Sequence, residues 1–296
     1  MEREPLDLRN RDRSKKIIAS DYGQIATLWD SYWVPAHAPI RERLLGLAHL
    51  RLGERVLDVG TGTGAAALLA SHRVAPTGVV LGIDNARHML VVARRKAAKL
   101  RLENVEFQVM DAAALQQPEE TFDVVISSFG MPELPSDTQP ALIKLRRVLK
   151  PNGRLCFCEF AGKRRPMLIF DQVFARYKVA NPNPALAARR HAEARLEQER
   201  KRFRALYWSD AATVKTAVED AGFREVKVFT ESFAVTFPTI RTLVEFMLAE
   251  KRAEYVALAG QAQGQCRREL LRALRALESG GRPSWEASVN FCVGRK

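Results

Sequence analysis

The stretch Arg55-Val-Leu-Asp58-Val-Gly60-Thr-Gly62-Thr-Gly64 constrains this chain more than any other. A short apolar run ends in an acid, three glycines follow at alternate positions, and an alanine-rich helical run opens at Ala65. A buried strand that turns through glycines into a helix is how an open α/β sheet receives a nucleotide-like ligand, because backbone N–H groups at the turn can approach it. A second strand-like run, Val79-Val-Leu-Gly-Ile83, ends in Asp84, and a third, Asn104-Val-Glu-Phe-Gln-Val-Met110, ends in Asp111. Residues 121–126 are almost wholly apolar, as in a strand buried on both faces, and 154–160 read as a fifth strand. Helical runs at 65–71, 86–100 and 138–149 lie between these strands. Such alternation means right-handed βαβ crossovers and a parallel sheet.

Three ligand classes use a strand–glycine–helix turn. A phosphate loop needs Gly-Lys-Ser/Thr, which is absent, and a dinucleotide turn spaces its glycines Gly-x-Gly-x-x-Gly, whereas here they fall at 60, 62 and 64. A carboxylate two residues before the first glycine suits a ligand that carries positive charge. S-adenosylmethionine brings an ammonium and a sulfonium, and its carboxylate can meet N–H groups at the helix start. The ordered acids Asp58, Asp84 and Asp111, each at the end of a successive strand, then serve the amino-acid end, the ribose and the adenine amino group.

Composition narrows the setting. At 296 residues with 47% hydrophobic and 27% charged, the chain has the makings of one large domain with a sizeable core. No apolar run approaches the roughly 18 residues of a membrane span, and the charged N-terminus has no secretory character. Cys156, Cys158, Cys266 and Cys292 show no zinc-like spacing and read as buried free thiols, so the expected setting is cytoplasmic. The net charge of +13 is uneven, with +7 of it in residues 151–210.

Residues 1–20 read as a mobile charged tail. From Asp21, Tyr22, Ile25, Leu28, Trp29, Tyr32 and Trp33 recur at three- and four-residue intervals, forming one apolar helical face close enough to the glycine turn to lie over a ligand. The strand–helix rhythm breaks after the fifth strand. Residues 163–210 and 238–280 are helical insertions, with a sixth strand beginning at Glu225 and a closing strand over 287–293. In an α/β sheet of this kind, insertions there sit over the carboxyl ends of the strands, so they are expected to form a lid, and their aromatics suggest an apolar or aromatic acceptor pocket. The first insertion also carries Lys163-Arg-Arg165, Arg189-Arg190 and Arg200-Lys-Arg202-Phe-Arg204. These residues could contact phosphates, but glutamates at salt-bridging spacing make a solvated helix face the better reading.

Five motifs in order now resemble a known family: Val56-Leu-Asp58-Val-Gly-Thr-Gly-Thr-Gly64, Gly82-Ile-Asp84-Asn-Ala-Arg-His-Met-Leu90, Asn104 to Ala112, Phe122 to Gly130, and Arg147-Val-Leu-Lys-Pro-Asn-Gly-Arg-Leu155. Together they resemble the class I S-adenosylmethionine-dependent methyltransferases, and within them the ubiquinone/menaquinone-biosynthesis type and its small-molecule relatives. The likeness runs over residues 20–165. It implies an α/β, Rossmann-like, seven-stranded and mostly parallel sheet with helices on both faces. The domain would span 21–296, with a cofactor-binding core at 21–162. It also implies S-adenosylmethionine as cofactor, with S-adenosylhomocysteine as product. Gly60, Gly62 and Gly64 shape the turn, the first two admitting the methionine moiety, and Asp58 supports its ammonium. Asp84 takes the ribose hydroxyls, Asn85 and Met89 line the adenine, Asp111 accepts from the adenine amino group, and the Ala112 N–H meets a ring nitrogen. Ser127 and Ser128 sit near the methyl group and the acceptor.

Several motifs are missing. After the fourth strand there is neither the Asn/Asp-Pro-Pro-Tyr/Phe of amide and base-amine methylation nor the Pro-Cys of cytosine methylation, and no acid cluster suggests a metal. The expected reaction is in-line methyl transfer to oxygen or carbon of a small, hydrophobic or aromatic acceptor, catalysed mostly by alignment and exclusion of water. Such an acceptor also wants a base, for which Glu159, His37 and His191 are the candidates. Two alternatives stand beside this reading: an RNA-modifying methyltransferase using the basic insertion, and a non-catalytic S-adenosylmethionine-binding protein. The oligomeric state is left open, a homodimer included.

Overall fold

The computed structural model describes residues 8–132, 135–177, 208–256, 258 and 260–296. Seven strands form one sheet in the order β3-β2-β1-β4-β5-β8-β6. They are β1 (Arg55–Val59), β2 (Val79–Asp84), β3 (Val105–Val109), β4 (Phe122–Ser128), β5 (Leu149–Phe160), β6 (Arg224–Thr236) and β8 (Arg282–Arg295); a two-residue β7 (Glu278–Ser279) pairs only with β8. The first five are parallel, and β8 runs antiparallel to both β5 and β6. The sheet is therefore the mostly parallel, Rossmann-like one expected.

Side chains leave a strand on alternate faces, so adjacent residues feed two cores. Leu57, Val125, Leu155 and Phe157 pack on one side with Leu142, Leu145, Val214 and Val218. These come from α5 (Pro135–Val148) and α7 (Ala211–Asp220). Val56, Val124, Cys156 and Cys158 pack on the other side with Ile40, Leu44, Ala67, Ala70 and Leu90. That side is covered by α2 (Ala38–Leu47), α3 (Ala65–Val74) and α4 (Arg87–Lys99). All four cysteines are buried and free. Among the described residues no helix is long and apolar enough to cross a membrane.

Two sequence expectations change. The expected tail is a helix from residue 8 on: α1 (Leu8–Gln24) reaches the sheet through Lys15, which pairs with Asp111 and lies 3.2 Å from Asp137. Mixed charge read as solvation; one lysine finds two carboxylates that lie about 100 positions away and are invisible to local pattern. The last two strands are also longer than expected. β5 ends at Phe160 opposite Val289, but β8 and β6 remain paired beyond it, out to Ser284 and Thr236. This overhanging ribbon leads directly into α8 (Ile240–Glu250), followed by α9 (Gly260–Ala273). After β5 comes α6 (Arg165–Ala175), which meets α9 where the Tyr177 hydroxyl donates to Glu269 Oε2 at 2.7 Å. The basic residues expected over 189–204, with His191, lie outside the described residues.

Candidate functional site

At the carboxyl ends of β1, β2 and β4 a cavity of about 190 Å³ opens. Its floor follows from the glycine run. Gly60 has φ +62°, and a Cβ there would come within 2.5 Å of the Gly130 backbone, so the β1 turn and the end of β4 meet backbone to backbone. Gly62 donates its N–H to Asp84 Oδ2 at 2.9 Å, and Ala86 N–H donates to Asp84 Oδ1 at 2.7 Å. These two backbone donors fix the Asp84 carboxylate at the edge of the cavity, which it lines. Asp111 accepts from Ala113 N–H at 2.9 Å, capping the short turn Ala112–Ala114, and also holds Lys15.

Asp58 is 1% exposed. Its Oδ2 accepts from the Thr61 hydroxyl at 2.6 Å, while Oδ1 has no partner. Burial pushes its pKa up to about 7, against the Thr61 and Ala67 hydrogen bonds that favour the charged form. Arg41, from α2, lines the same cavity and donates to the Val34 carbonyl at 3.1 Å, but its Nε is also without a partner. A buried acceptor and a buried cation left incomplete in one cavity fit a ligand that carries an ammonium and a carboxylate.

Aromatic side chains form the remaining wall. Trp29 to Trp33 make a π-helical turn fastened to the glycine loop, with the Thr63 hydroxyl donating to Asp30 at 2.8 Å and Lys96 reaching the same oxygen at 2.5 Å. Trp29 and Trp33 line the cavity, so the aromatic segment does lie over it. His37 stacks on Trp33 with centroids 3.8 Å apart and meets Phe129 and Phe160 edge-on. Its Nδ1 is 2.9 Å from the Trp33 carbonyl. A carbonyl only accepts, so Nδ1 carries the proton and Nε2, which has no partner, is left as a bare lone pair. Burial holds the imidazole pKa down at about 3, so the ring is neutral.

Most of the residues expected at the site converge there: Asp58, Gly60, Gly62, Asp84, Asn85, Met89, Asp111, Ala112, Ser128 and His37 all line the cavity. Three do not. Gly64, φ +79°, starts α3, and a Cβ would meet Ala93 and Phe107 at 2.9 Å, so it serves helix packing. Ser127 is fully buried and donates to the Val59 carbonyl at 2.9 Å, tying β4 to β1. Neighbours in a strand face opposite ways, which is why Ser128 lines the cavity and Ser127 does not. Glu159 accepts from Met131 N–H at 3.1 Å and shapes the loop after β4 rather than lining the cavity, so it is a poor candidate base. Sequence reading missed Lys15, Arg41 and Asp137. Arg41 carried one usable signal: it sits among the leucines of an amphipathic helix, where an arginine is out of pattern.

Comparison with known proteins identifies the family. A family model described as a methyltransferase domain matches residues 50–220, more than half of the chain. Demethylmenaquinone methyltransferase of Staphylococcus aureus (strain JH9) is 33% identical over 193 residues, covering 65% of this chain and 77% of that protein. Nocamycin O-methyltransferase of Saccharothrix syringae is 29% identical over 285 residues, 93% of this chain and 96% of that protein. Among solved structures, the YcgJ protein of Bacillus subtilis shares the fold with a TM-score of 0.52 at 21% identity, covering 86% of this chain and 98% of that one. With a methyltransferase family model matching more than half of its length and a relative 33% identical over most of that relative's own length, the chain belongs to the S-adenosylmethionine-dependent methyltransferases.

Proposed function

We propose that this protein methylates an oxygen, or an activated carbon, of a small planar hydrophobic acceptor, and that His37 takes the proton released. The observation that carries the reading is His37 itself: a neutral imidazole, 2% exposed, with an unpartnered Nε2, that lines the same cavity as Asp58 and packs among Trp33, Phe129 and Phe160. Two relatives named for small acceptors, nocamycin and demethylmenaquinone, point the same way.

Asp58 would hold the cofactor's ammonium, Arg41 its carboxylate, Asp84 the ribose hydroxyls and Asp111 the adenine amino group, with Asn85, Met89 and Ala112 around the ring. When bound, S-adenosylmethionine supplies a methyl group made electrophilic by a sulfonium. The chain's own residues then have three tasks. The aromatic wall orients a flat acceptor and excludes water, which matters because a displacement that consumes charge is favoured outside bulk water. The Gly60–Gly130 contact keeps the floor free of side chains. His37 accepts a proton at Nε2. A base with a pKa of about 3 is too weak to ionise a neutral hydroxyl beforehand. It is strong enough to take the proton once that oxygen bears the new methyl, so proton transfer follows carbon–oxygen bond formation.

The described helices of the two expected insertions, α6 from the first and α8 and α9 from the second, would cover the acceptor. The RNA-modifying alternative loses part of its basic surface: Arg164 lies over the rings of Trp33 and Phe160, 4.7 and 5.1 Å from their centroids, and 3.5 Å from Glu250. Incubation with methyl-labelled cofactor and a cell extract tests the reading. Label in a small, organic-extractable product is expected; label recovered in RNA, or no transfer, overturns it.

A further inference from the structure

Trp29, which lines the main cavity, brings one more polar atom to its wall, the indole Nε1. That nitrogen stands 4.0 Å from the point where a Gly62 Cβ would sit, and outside the two chain neighbours of Gly62 no other atom comes as near. An open gap therefore separates the glycine turn from the indole nitrogen, whose N–H makes no hydrogen bond among the described residues. The ring is held in this place. It stacks on Trp33 with centroids 4.6 Å apart, meets Tyr22 edge-on at 5.4 Å and leans on Phe246 at 5.9 Å. The adjoining Asp30 takes the Thr63 hydroxyl at 2.8 Å, so the π-helical turn is clipped to the loop one residue beyond Gly62. A donor preset in this way loses little freedom when a ligand engages it.

The chemistry of that ligand group is restricted. An indole N–H only donates, so its partner must accept. Residues lining the cavity then carry three incomplete polar atoms: one acceptor, Asp58 Oδ1, and two donors, Arg41 Nε and Trp29 Nε1. Burial lowers the Arg41 pKa, and the carboxylates of Glu42, Asp58 and Asp30 oppose the shift, so the guanidinium lies within electrostatic reach of both Asp58 and the residue next to Trp29. An α-amino acid bears an ammonium and a carboxylate on one carbon. Its ammonium completes Asp58, and its two carboxylate oxygens complete one donor each. A ribose hydroxyl would also accept from the indole, but it leaves Arg41 incomplete.

We propose that Trp29 Nε1 donates to the carboxylate at the methionine end of the cofactor, alongside Arg41, so that the site reads the carboxylate and rejects a cofactor that lacks it. The inference rests on the reading that gives the ammonium to Asp58 and the carboxylate to Arg41. The second donor is neutral, which suits a ligand that also carries a sulfonium: another cation beside Arg41 would repel it.

The test titrates S-adenosylhomocysteine and its descarboxy analogue, S-adenosyl-3-thiopropylamine, into the full-length protein by calorimetry. The amine keeps the ammonium, ribose and adenine and lacks only the carboxylate. Trp29→Phe keeps an aromatic ring against Trp33 and removes the N–H. It is expected to weaken S-adenosylhomocysteine about tenfold, as loss of a hydrogen bond to a charged group does, and to leave the amine within about twofold. Equal losses for both ligands, which would put the N–H on the ribose or adenine, overturn the inference, and so does no loss for either. In both of those cases Arg41→Gln, weakening S-adenosylhomocysteine alone, leaves the Arg41 reading standing; a wild type that binds the two ligands equally overturns that reading and the inference together. Should Trp29→Phe fail to fold, isotope-labelled wild type decides. Its Trp29 ring N–H resonance, identified by an Overhauser contact to Gly62, is expected to move downfield with S-adenosylhomocysteine and to stay in place with the amine. The same movement with both ligands, or with neither, overturns the inference.

Discussion

Asp58→Asn should make the cofactor-free protein more stable at alkaline pH while nearly abolishing cofactor binding. Burial raises the Asp58 pKa from 3.8 to about 7. Because the folded chain holds this proton more tightly than the unfolded chain, the group's favourable contribution is complete below pH 3.8 and is lost as pH rises through about 7. The shift is about three units, and at 1.36 kcal/mol per unit the ionised carboxylate costs the folded state about 4 kcal/mol at pH 8. The loss between pH 5 and pH 8 is then roughly 3 kcal/mol, or about 5 °C in melting temperature for a chain of this size. Asparagine retains an acceptor for the Thr61 hydroxyl but leaves a buried amide incomplete at about 1–3 kcal/mol, so the net gain at pH 8 is about 2 kcal/mol. Thermal melts of both proteins without cofactor, at pH 5 and pH 8, measure the difference. Calorimetry supplies the second half: cofactor binding at pH 6 should expel a proton from Asp58, visible as a dependence on the buffer's ionisation enthalpy, and Asp58→Asn should weaken binding about 100-fold by leaving the ammonium unpaired. Parallel pH–stability curves for the two proteins would refute the reasoning, as would unchanged affinity.

Three further outcomes are expected. Gly60→Ala should abolish binding of S-adenosylhomocysteine and lower the melting temperature, because the new Cβ meets the Gly130 backbone at 2.5 Å with no flexible side chain to yield; calorimetry and a melt check both. His37→Gln should lower kcat about 100-fold with little change in the KM of the cofactor, and the wild-type kcat profile should show no histidine step between pH 5 and 8, since its pKa of about 3 keeps the ring neutral throughout. Lys15→Met should weaken S-adenosylhomocysteine about fivefold, the ~1 kcal/mol worth of a partly exposed ion pair, and raise trypsin cleavage within α1, because Ile18, Ala19 and Tyr22 line the cavity from that helix.

The local physics of the chain determined the sheet and the cofactor. Alternating apolar strands, amphipathic helices and glycines at 60 and 62 are properties of neighbours in sequence, so the β1 turn, the acids at 58, 84 and 111, and the parallel core could be read directly. The choice between Ser127 and Ser128 needed the strand register, which places one against β1 and the other in the cavity. Glu159 read as a base because it ends a strand, and only the loop after β4 shows that its carboxylate is taken up by Met131 N–H. Lys15 and Arg41 acquire meaning from partners about 100 or more positions away or from the lack of a partner inside the fold, and no periodicity encodes that. The donor end of the reaction was therefore determined by the sequence, because strand–turn–helix geometry is local. The proposed acceptor end was decided by tertiary structure, because the wall of Trp33, His37, Phe129, Phe160 and Phe246 is assembled from four separate segments and exists only once they pack.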